Sequence, residues 1–436
     1  MKKEFFLVRL SWLIACLLLG WAYAASPVRA VQPLVQPLVQ KDKKPTDALT
    51  QVANQQRKQM AEVLRSAQQE KPQDPNQREA IQAALRQMAA ERAAPFKAAD
   101  WKGDELLALI RLYEISEQYA PAVEAYRLYL KELRNLNTVA SARIGLLRAL
   151  IETDQIDDAL KVLGETKIDF LGNFNEGIPP RVSLYKDLAV ALRERGQLDV
   201  GLQVAREAYG FTKTTLAMNP RWRELVDPLR PNLAALIVAL LEQTGKQKEA
   251  GEFNQQVLKA DFDPQSQWRD AYQAELTAAR LIGKPAPEVL AARWLDGQPV
   301  KLSDLRGKVV LVDFWAMWCA PCVAAFPHFR EWQSKYAGKG FELVGVTRFY
   351  GRSDEKEDLN REQEWQALQA FKRKYQLAYP CAVGKMDDVT NDERYGVTGL
   401  PTTILIDRRG NVRELQRGGG NYRKLTQRVA KLIEEK

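Results

Sequence analysis

The sequence predicts two structural classes in one chain: an all-α N-terminal part and an α/β C-terminal part. Three observations carry this. From about Ala48 to Arg280 apolar residues recur at three-to-four spacing in a background rich in Ala, Leu, Glu, Gln and Arg, the helical period. Around Leu281-Ile282-Gly283-Lys284-Pro285-Ala286-Pro287 the texture changes, and short β-rich runs alternate with helical ones thereafter. The length, 436 residues, exceeds what one ordinary core accommodates.

Residues 1–24 read as targeting. Met1-Lys2-Lys3 is basic, Leu10 to Trp21 is apolar except for Ser11, and Ala22-Tyr23-Ala24 offers small residues where a signal peptidase reads them. The expectation is an exported, periplasmic or extracytoplasmic protein. An uncleaved membrane anchor and a lipoprotein box at Leu13-Ile14-Ala15-Cys16 stay open as alternatives, and a membrane partner is expected only if this segment is retained. Residues 25–47 read as an extended linker, because Val31-Gln32-Pro33-Leu34 repeats as Val35-Gln36-Pro37-Leu38 ahead of a Lys-rich stretch.

The helical part, 48–280, divides into hairpins marked by a small residue early in each second helix: Ala122, Ala159, Gly201 and Ala250. Small side chains there let paired helices approach closely. The intervals of 37, 42 and 49 residues resemble the tetratricopeptide repeat, whose period is about 34, but drift in length and lack most of its aromatic signature. An irregular helical bundle is the alternative. This part is a candidate surface for a partner protein.

In the C-terminal part, 281–436, a hairpin is expected first, from Glu288–Leu295 through Asp296-Gly297 to Pro299–Leu302. Lys308–Ala316 reads as a buried strand and Cys319–Tyr336 as a helix. Phe341–Arg348 is a second buried strand and Gln363–Tyr375 a second helix. Thr402–Asp407 is a third strand, and Arg409-Gly410-Asn411 turns into a fourth. Tyr422–Glu435 closes as an amphipathic helix.

Chemistry concentrates in Trp318-Cys319-Ala320-Pro321-Cys322, where a buried strand runs into a helix. Two cysteines across a first helical turn reach disulfide geometry without moving the backbone. The free N–H groups and dipole of the helix start stabilise a thiolate on the leading cysteine, which is the nucleophile of thiol exchange. Cys319 is therefore expected to face solvent and attack, and Cys322 to resolve the mixed disulfide. Of the remaining cysteines, Cys16 leaves with a cleaved signal and Cys381 reads as a buried thiol in a strand. One close pair plus one distant thiol suits redox chemistry better than a stapled scaffold.

These residues resemble the thioredoxin superfamily, and within it the exported TlpA/ResA-like thiol–disulfide oxidoreductases. The resemblance rests on Gly283–Pro287, Leu302-Ser303-Asp304-Leu305-Arg306-Gly307-Lys308, Asp313-Phe314-Trp315-Ala316, the WCAPC run and Tyr395-Gly396-Val397-Thr398-Gly399-Leu400-Pro401-Thr402-Thr403. It implies a thioredoxin-like fold, a cis-proline at Pro401 beside the cysteines, and a substrate-contacting surface of Trp318, Ala320, Pro321 and Leu400. The backbone of Leu400 would pair with a substrate segment as a strand does. It further implies protein disulfide substrates, an upstream thiol electron donor and the direction of a reductase, with no cofactor. Two positions depart from the pattern. The glutamate that relatives carry three residues after the second cysteine is Ala325 here. Asp313 instead stands where cytoplasmic thioredoxins place a buried aspartate, and is the candidate for relaying a proton to and from Cys322.

Other chemistries fit less well. The peroxiredoxin pattern of Pro, Thr and Cys at offsets 0, 4 and 7 fails, with Val312 and Ala316 ahead of Cys319 and Trp315 and Cys319 ahead of Cys322. Val323 excludes haem attachment, and a single histidine, His328, excludes a His-rich zinc site. His328 is expected exposed on the active-site helix, and Asp354–Glu364 is expected as a solvated charged insertion. A net charge of +9, about +7 without residues 1–24, is spread among 55 acidic residues, so no nucleic-acid partner is expected. A helical scaffold with a mainly structural redox domain is the non-enzymatic rival.

Overall fold

The computed structural model describes residues 44–68, 75–132, 136–166, 178–218, 222–354, 356–385, 390–419 and 422–435. The signal expected over 1–24 and nearly all of the 25–47 linker lie outside the described residues. None of the described helices is long and apolar enough to cross a membrane.

Among the described residues eleven longer helices precede the sheet: α1 (Pro45–Gln68), α2 (Pro75–Ala93), α3 (Gly103–Ile115), α4 (Tyr119–Glu132), α5 (Leu136–Glu152), α6 (Ile156–Thr166), α7 (Ile178–Glu194), α8 (Leu198–Met218), α9 (Arg230–Gln243), α10 (Gln247–Ala260) and α11 (Arg269–Leu281). The pairs α3/α4, α5/α6, α7/α8 and α9/α10 are the hairpins anticipated from the small residues, and Ala122, Ala159, Gly201 and Ala250 are all buried between helices. A Cβ on Gly201 would stand 3.2 Å from the Ala189 carbonyl oxygen, so α7 and α8 pack backbone to backbone there. All four turns use one device. Glu117, Asp154, Gly196 and Gly245 take the left-handed conformation after the first helix. The next N–H then reaches back to the helix, Gln118 to Tyr113 O, Gln155 to Leu150 O, Gln197 to Leu192 O and Lys246 to Leu241 O. This is the Schellman ending, which satisfies carbonyls that a helix end leaves open. One contiguous apolar core runs from Ala48 to Leu276 through these helices.

The C-terminal part holds β1 (Ala291–Trp294), β2 (Val309–Phe314), α12 (Ala320–Tyr336), β3 (Phe341–Thr347), α13 (Arg361–Lys374), β4 (Cys381–Gly384), α14 (Asn391–Tyr395), β5 (Thr402–Ile406), β6 (Val412–Arg417) and α15 (Tyr422–Glu434). The strands form one sheet in the order β1-β4-β3-β2-β5-β6, with β2, β3 and β4 parallel and the others antiparallel to their neighbours. Central strands β2 and β5 are buried throughout, and both are largely apolar, with Asp313 in β2 and Thr402 and Thr403 in β5 as their buried polar members. On one face Val309, Leu311 and Leu343 pack under α12, α13 and α15. On the other, Val310, Val312, Phe314 and Val344 pack against Tyr395 of α14 and the segment entering β1.

The expected hairpin at Glu288–Leu302 does not form. The Asp296-Gly297 turn is present, but β1 pairs with β4, and the Asp296 carboxylate accepts the Cys381 N–H at 2.9 Å. Residues Leu302–Leu305 form a 3₁₀ turn whose first N–H groups, Leu302 and Ser303, are held by the Glu288 carboxylate at 2.7 and 2.8 Å. Side-chain capping and burial of Leu302 consume the backbone that a second strand would have needed.

The two parts meet along α15 and α11. Arg423 pairs with Glu117 and Glu152, and Arg428 with Glu194 at 2.7 Å, so cations on α15 cross the turns of three successive hairpins. Arg417 of β6 pairs with Glu275 of α11 at 2.7 Å. Gly396, with φ +68°, lies so close to α11 that a Cβ would stand 2.2 Å from the Ala274 carbonyl oxygen.

Candidate functional site

The central strand β2 ends at Phe314, and Trp315–Trp318 carry the chain from its C-terminal end into α12. Cys319 is the N-cap of α12, and its Sγ accepts the Cys322 N–H at 3.2 Å. Proline at the second helical position costs no hydrogen bond, because that N–H has no intrahelical partner. Cys319 and Cys322 are joined as a disulfide with their Cα atoms 5.3 Å apart. Ala320 is half-buried, Pro321 is exposed, and the Tyr422 hydroxyl lies 3.4 Å from the Pro321 carbonyl.

Cys319 does not face solvent as expected. In the disulfide it is 3% exposed, and Cys322 is fully buried. Cys319 belongs to the apolar cluster with Met317, Ala325 and Phe326, and half-buried Trp318 and Leu400 pack against its margin. The N-cap geometry turns Sγ toward the helix end, and Trp318 and Leu400 line the margin of the same cluster. Leu400–Pro401 is a cis peptide, and the Pro401 carbonyl accepts the Gly418 N–H at 2.8 Å.

Asp313 shares strand parity with Val309 and Leu311, so its carboxyl points to the α12 side of the sheet. It is fully buried, and neither oxygen has a hydrogen-bond partner among the described residues. Burial alone pushes its pKa up to about 8. Opposite it in register is Gly345, where an added Cβ would stand 2.9 Å from both Cys381 Sγ and Trp315 Nε1. Cys381 is buried, its thiol is pushed up to about 12 by desolvation, and Lys372 Nζ lies 3.8 Å from the sulfur. A thiol held protonated this firmly is a poor nucleophile, which fits the packing role read for it. Ala325 is a buried methyl within the apolar cluster, so the acid of the relatives has no replacement at that position.

Two surface expectations are corrected. His328 is half-buried, with its ring stacked on Tyr422 at 4.6 Å, because α15 packs across this face of α12. The charged run Asp354–Glu364 is not solvated to its end. Glu364 is 1% exposed, and its carboxylate accepts the N–H groups of Tyr350 and Gly351 at 2.7 and 2.9 Å. Through that clamp Tyr350 meets Trp318 edge-on at 5.3 Å, and the Arg352 guanidinium lies 4.0 Å from the centre of the Trp318 ring. Sequence reasoning missed Tyr350, Arg352 and Glu364. The available signal was a basic–aromatic stretch, Arg348-Phe349-Tyr350-Gly351-Arg352, directly after a buried strand.

Residues 282–415 match the model of the AhpC/TSA family. Over 151 residues, 35% of this chain and 78% of the relative, the chain is 31% identical to the thiol–disulfide oxidoreductase ResA of Bacillus thuringiensis subsp. konkukian. The ResA of Bacillus anthracis is 35% identical over 133 residues, 30% of this chain and 68% of the relative. Among solved structures, a thiol-disulfide isomerase from Corynebacterium glutamicum is similar at 24% identity and TM-score 0.31, covering 35% of this chain and 97% of that one. The thioredoxin domain of a Bacteroides vulgatus thiol-disulfide oxidoreductase is similar at 28% identity and TM-score 0.28, covering 34% and 97%.

Proposed function

The chain belongs, through its C-terminal third, to the ResA thiol–disulfide oxidoreductases, and on that premise we propose that it reduces disulfides of extracytoplasmic proteins. The observation that carries the reading is the Cys319–Cys322 disulfide at the start of α12, in the same layer as the buried, proton-holding Asp313. In the reduced enzyme the Cys319 thiolate attacks one sulfur of the substrate disulfide. The substrate S–S bond breaks, and its other sulfur leaves as a thiolate that takes a proton from solvent. Cys322 then gives its proton to the Asp313 carboxylate and attacks the Cys319 sulfur, and the second substrate sulfur leaves as a thiolate that takes up the proton returned by Asp313 or one from solvent. The enzyme dithiol loses two electrons and two protons, the substrate gains both, and an upstream thiol donor restores the dithiol.

A carboxyl that titrates near pH 8 suits both directions of the proton: a base fraction is present at neutral pH for resolution, and the acid form is present to reprotonate Cys322. Leu400, Trp318, Ala320 and Pro321 form the surface on which the substrate segment lies. The helical part, with its repeated hairpins, selects or presents the partner. Export is supported by the basic, apolar and small-residue order of residues 1–24.

Trapping tests the assignment. Cys322→Ser should accumulate mixed disulfides with extracytoplasmic proteins, and Cys319→Ser should accumulate none. Adducts carried on Cys322 or Cys381 instead would refute it. The AhpC/TSA description favours one second reading, a thiol peroxidase. Peroxide consumption by the reduced chain at a rate matching its disulfide reduction would establish that reading in place of this one.

A further inference from the structure

Arg352 occupies a built position over Trp318, the residue before Cys319. Glu364, buried in the first turn of α13, grips two successive N–H groups of the loop after β3, and the Leu359 N–H closes the loop on the Gly351 carbonyl at 2.7 Å. The held loop places Tyr350 perpendicular to Trp318, with the Arg348 guanidinium over the Tyr350 ring at 4.7 Å. Arg348 is occupied by Asp392 at 3.4 Å. Arg352 lies on Trp318 itself, the residue immediately before Cys319, and its side chain remains 31% exposed. Among the described residues its ion-pair partner is Glu357, 3.8 Å away on the same loop and 80% exposed. A guanidinium resting on an aromatic face keeps its in-plane donors free for a second partner.

We propose that Arg352 is a specificity residue: it selects substrate segments that carry an aspartate or glutamate next to the cysteine being attacked. The inference rests on the reductase reading above. A segment laid along Leu400 toward Cys319 passes the Trp318 rim, where an acidic side chain meets a fixed cation and a basic one is repelled. The half-buried, stacked setting lets that charge act more strongly than a freely moving surface arginine.

The test compares three disulfide-linked peptides of one length, with Asp, Ser or Lys beside the cysteine, reduced by the full chain with dithiothreitol as donor. For the wild type, kcat/KM for the Asp peptide should exceed that for the Lys peptide about fivefold at low ionic strength, mostly through KM. The ratio should approach one in 1 M salt, where the screening length is about 3 Å. It should fall to near one in Arg352→Gln and invert in Arg352→Glu. A wild-type ratio of one at low salt, or a ratio unchanged in Arg352→Glu, would overturn the proposal. Failure of the wild type to reduce the neutral Ser peptide would overturn the reductase reading itself.

Discussion

Asp313→Asn removes a buried titrating group while keeping its shape, and the structure sets the size and sign of the effect. Asp313 is fully buried without a partner, and its pKa rises from 3.8 to about 8. Between those values the folded chain keeps a proton that the unfolded chain has released, so stability must fall as pH rises across the window. The slope is about 1.4 kcal/mol per pH unit, or roughly 4 kcal/mol between pH 5 and pH 8. Below pH 3.8 the two states are equally protonated, and above pH 8 the penalty is constant. Asparagine carries no such slope, but its buried amide costs about 1–3 kcal/mol at every pH. The variant should therefore be equal to or less stable than the wild type at pH 5 and more stable by a few kcal/mol at pH 8. Urea unfolding of both oxidised proteins, followed by tryptophan fluorescence at pH 5, 6.5 and 8, measures this. In that state neither Cys319 nor Cys322 titrates, so they add no slope. Parallel pH profiles for the two proteins would refute the burial argument. The same variant, reduced and rapidly quenched across pH 6–9, should resolve mixed disulfides about tenfold more slowly and with a flattened pH dependence. An unchanged resolution rate would assign the proton to water.

Two further outcomes concern the joint between the helical part and the sheet. Gly396→Ala forces a Cβ to within 2.2 Å of the α11 backbone at a left-handed position, and should lower the melting temperature by the equivalent of roughly 2–4 kcal/mol; a shift under about 1 °C would show that α11 yields. Arg428 and Glu194, about a quarter exposed and 2.7 Å apart, should show a coupling of about 1 kcal/mol in a double-mutant cycle of Arg428→Ala and Glu194→Ala, whereas strict additivity would mean that α15 is not ionically docked on the hairpins.

The amino-acid sequence by itself determined what depends on near neighbours in the chain. The WCAPC run after a largely apolar strand dictates a strand-to-helix junction with two cysteines on one turn, because capping, the proline at the second helical position and the three-residue spacing are local. Alternation along β2 likewise set Asp313 on the face of Val309 and Leu311. The hairpins were legible at Ala122, Ala159, Gly201 and Ala250 because close helix packing leaves room only for small residues. Tertiary structure alone decided what depends on remote partners. Glu364 reads as one more acid in a charged run, and only folding brings it under the backbone of Tyr350 and Gly351. Arg352 reaches Trp318 across 34 residues of chain for the same reason. Glu288, fourteen residues ahead of Leu302, caps a 3₁₀ turn at the place where an expected strand was to end. His328 loses its exposure to Tyr422, and Cys319 to the apolar cluster it joins. Local pattern reports which conformation a segment prefers; which side chain answers a given charge or covers a given sulfur is settled when distant segments compete for the same space.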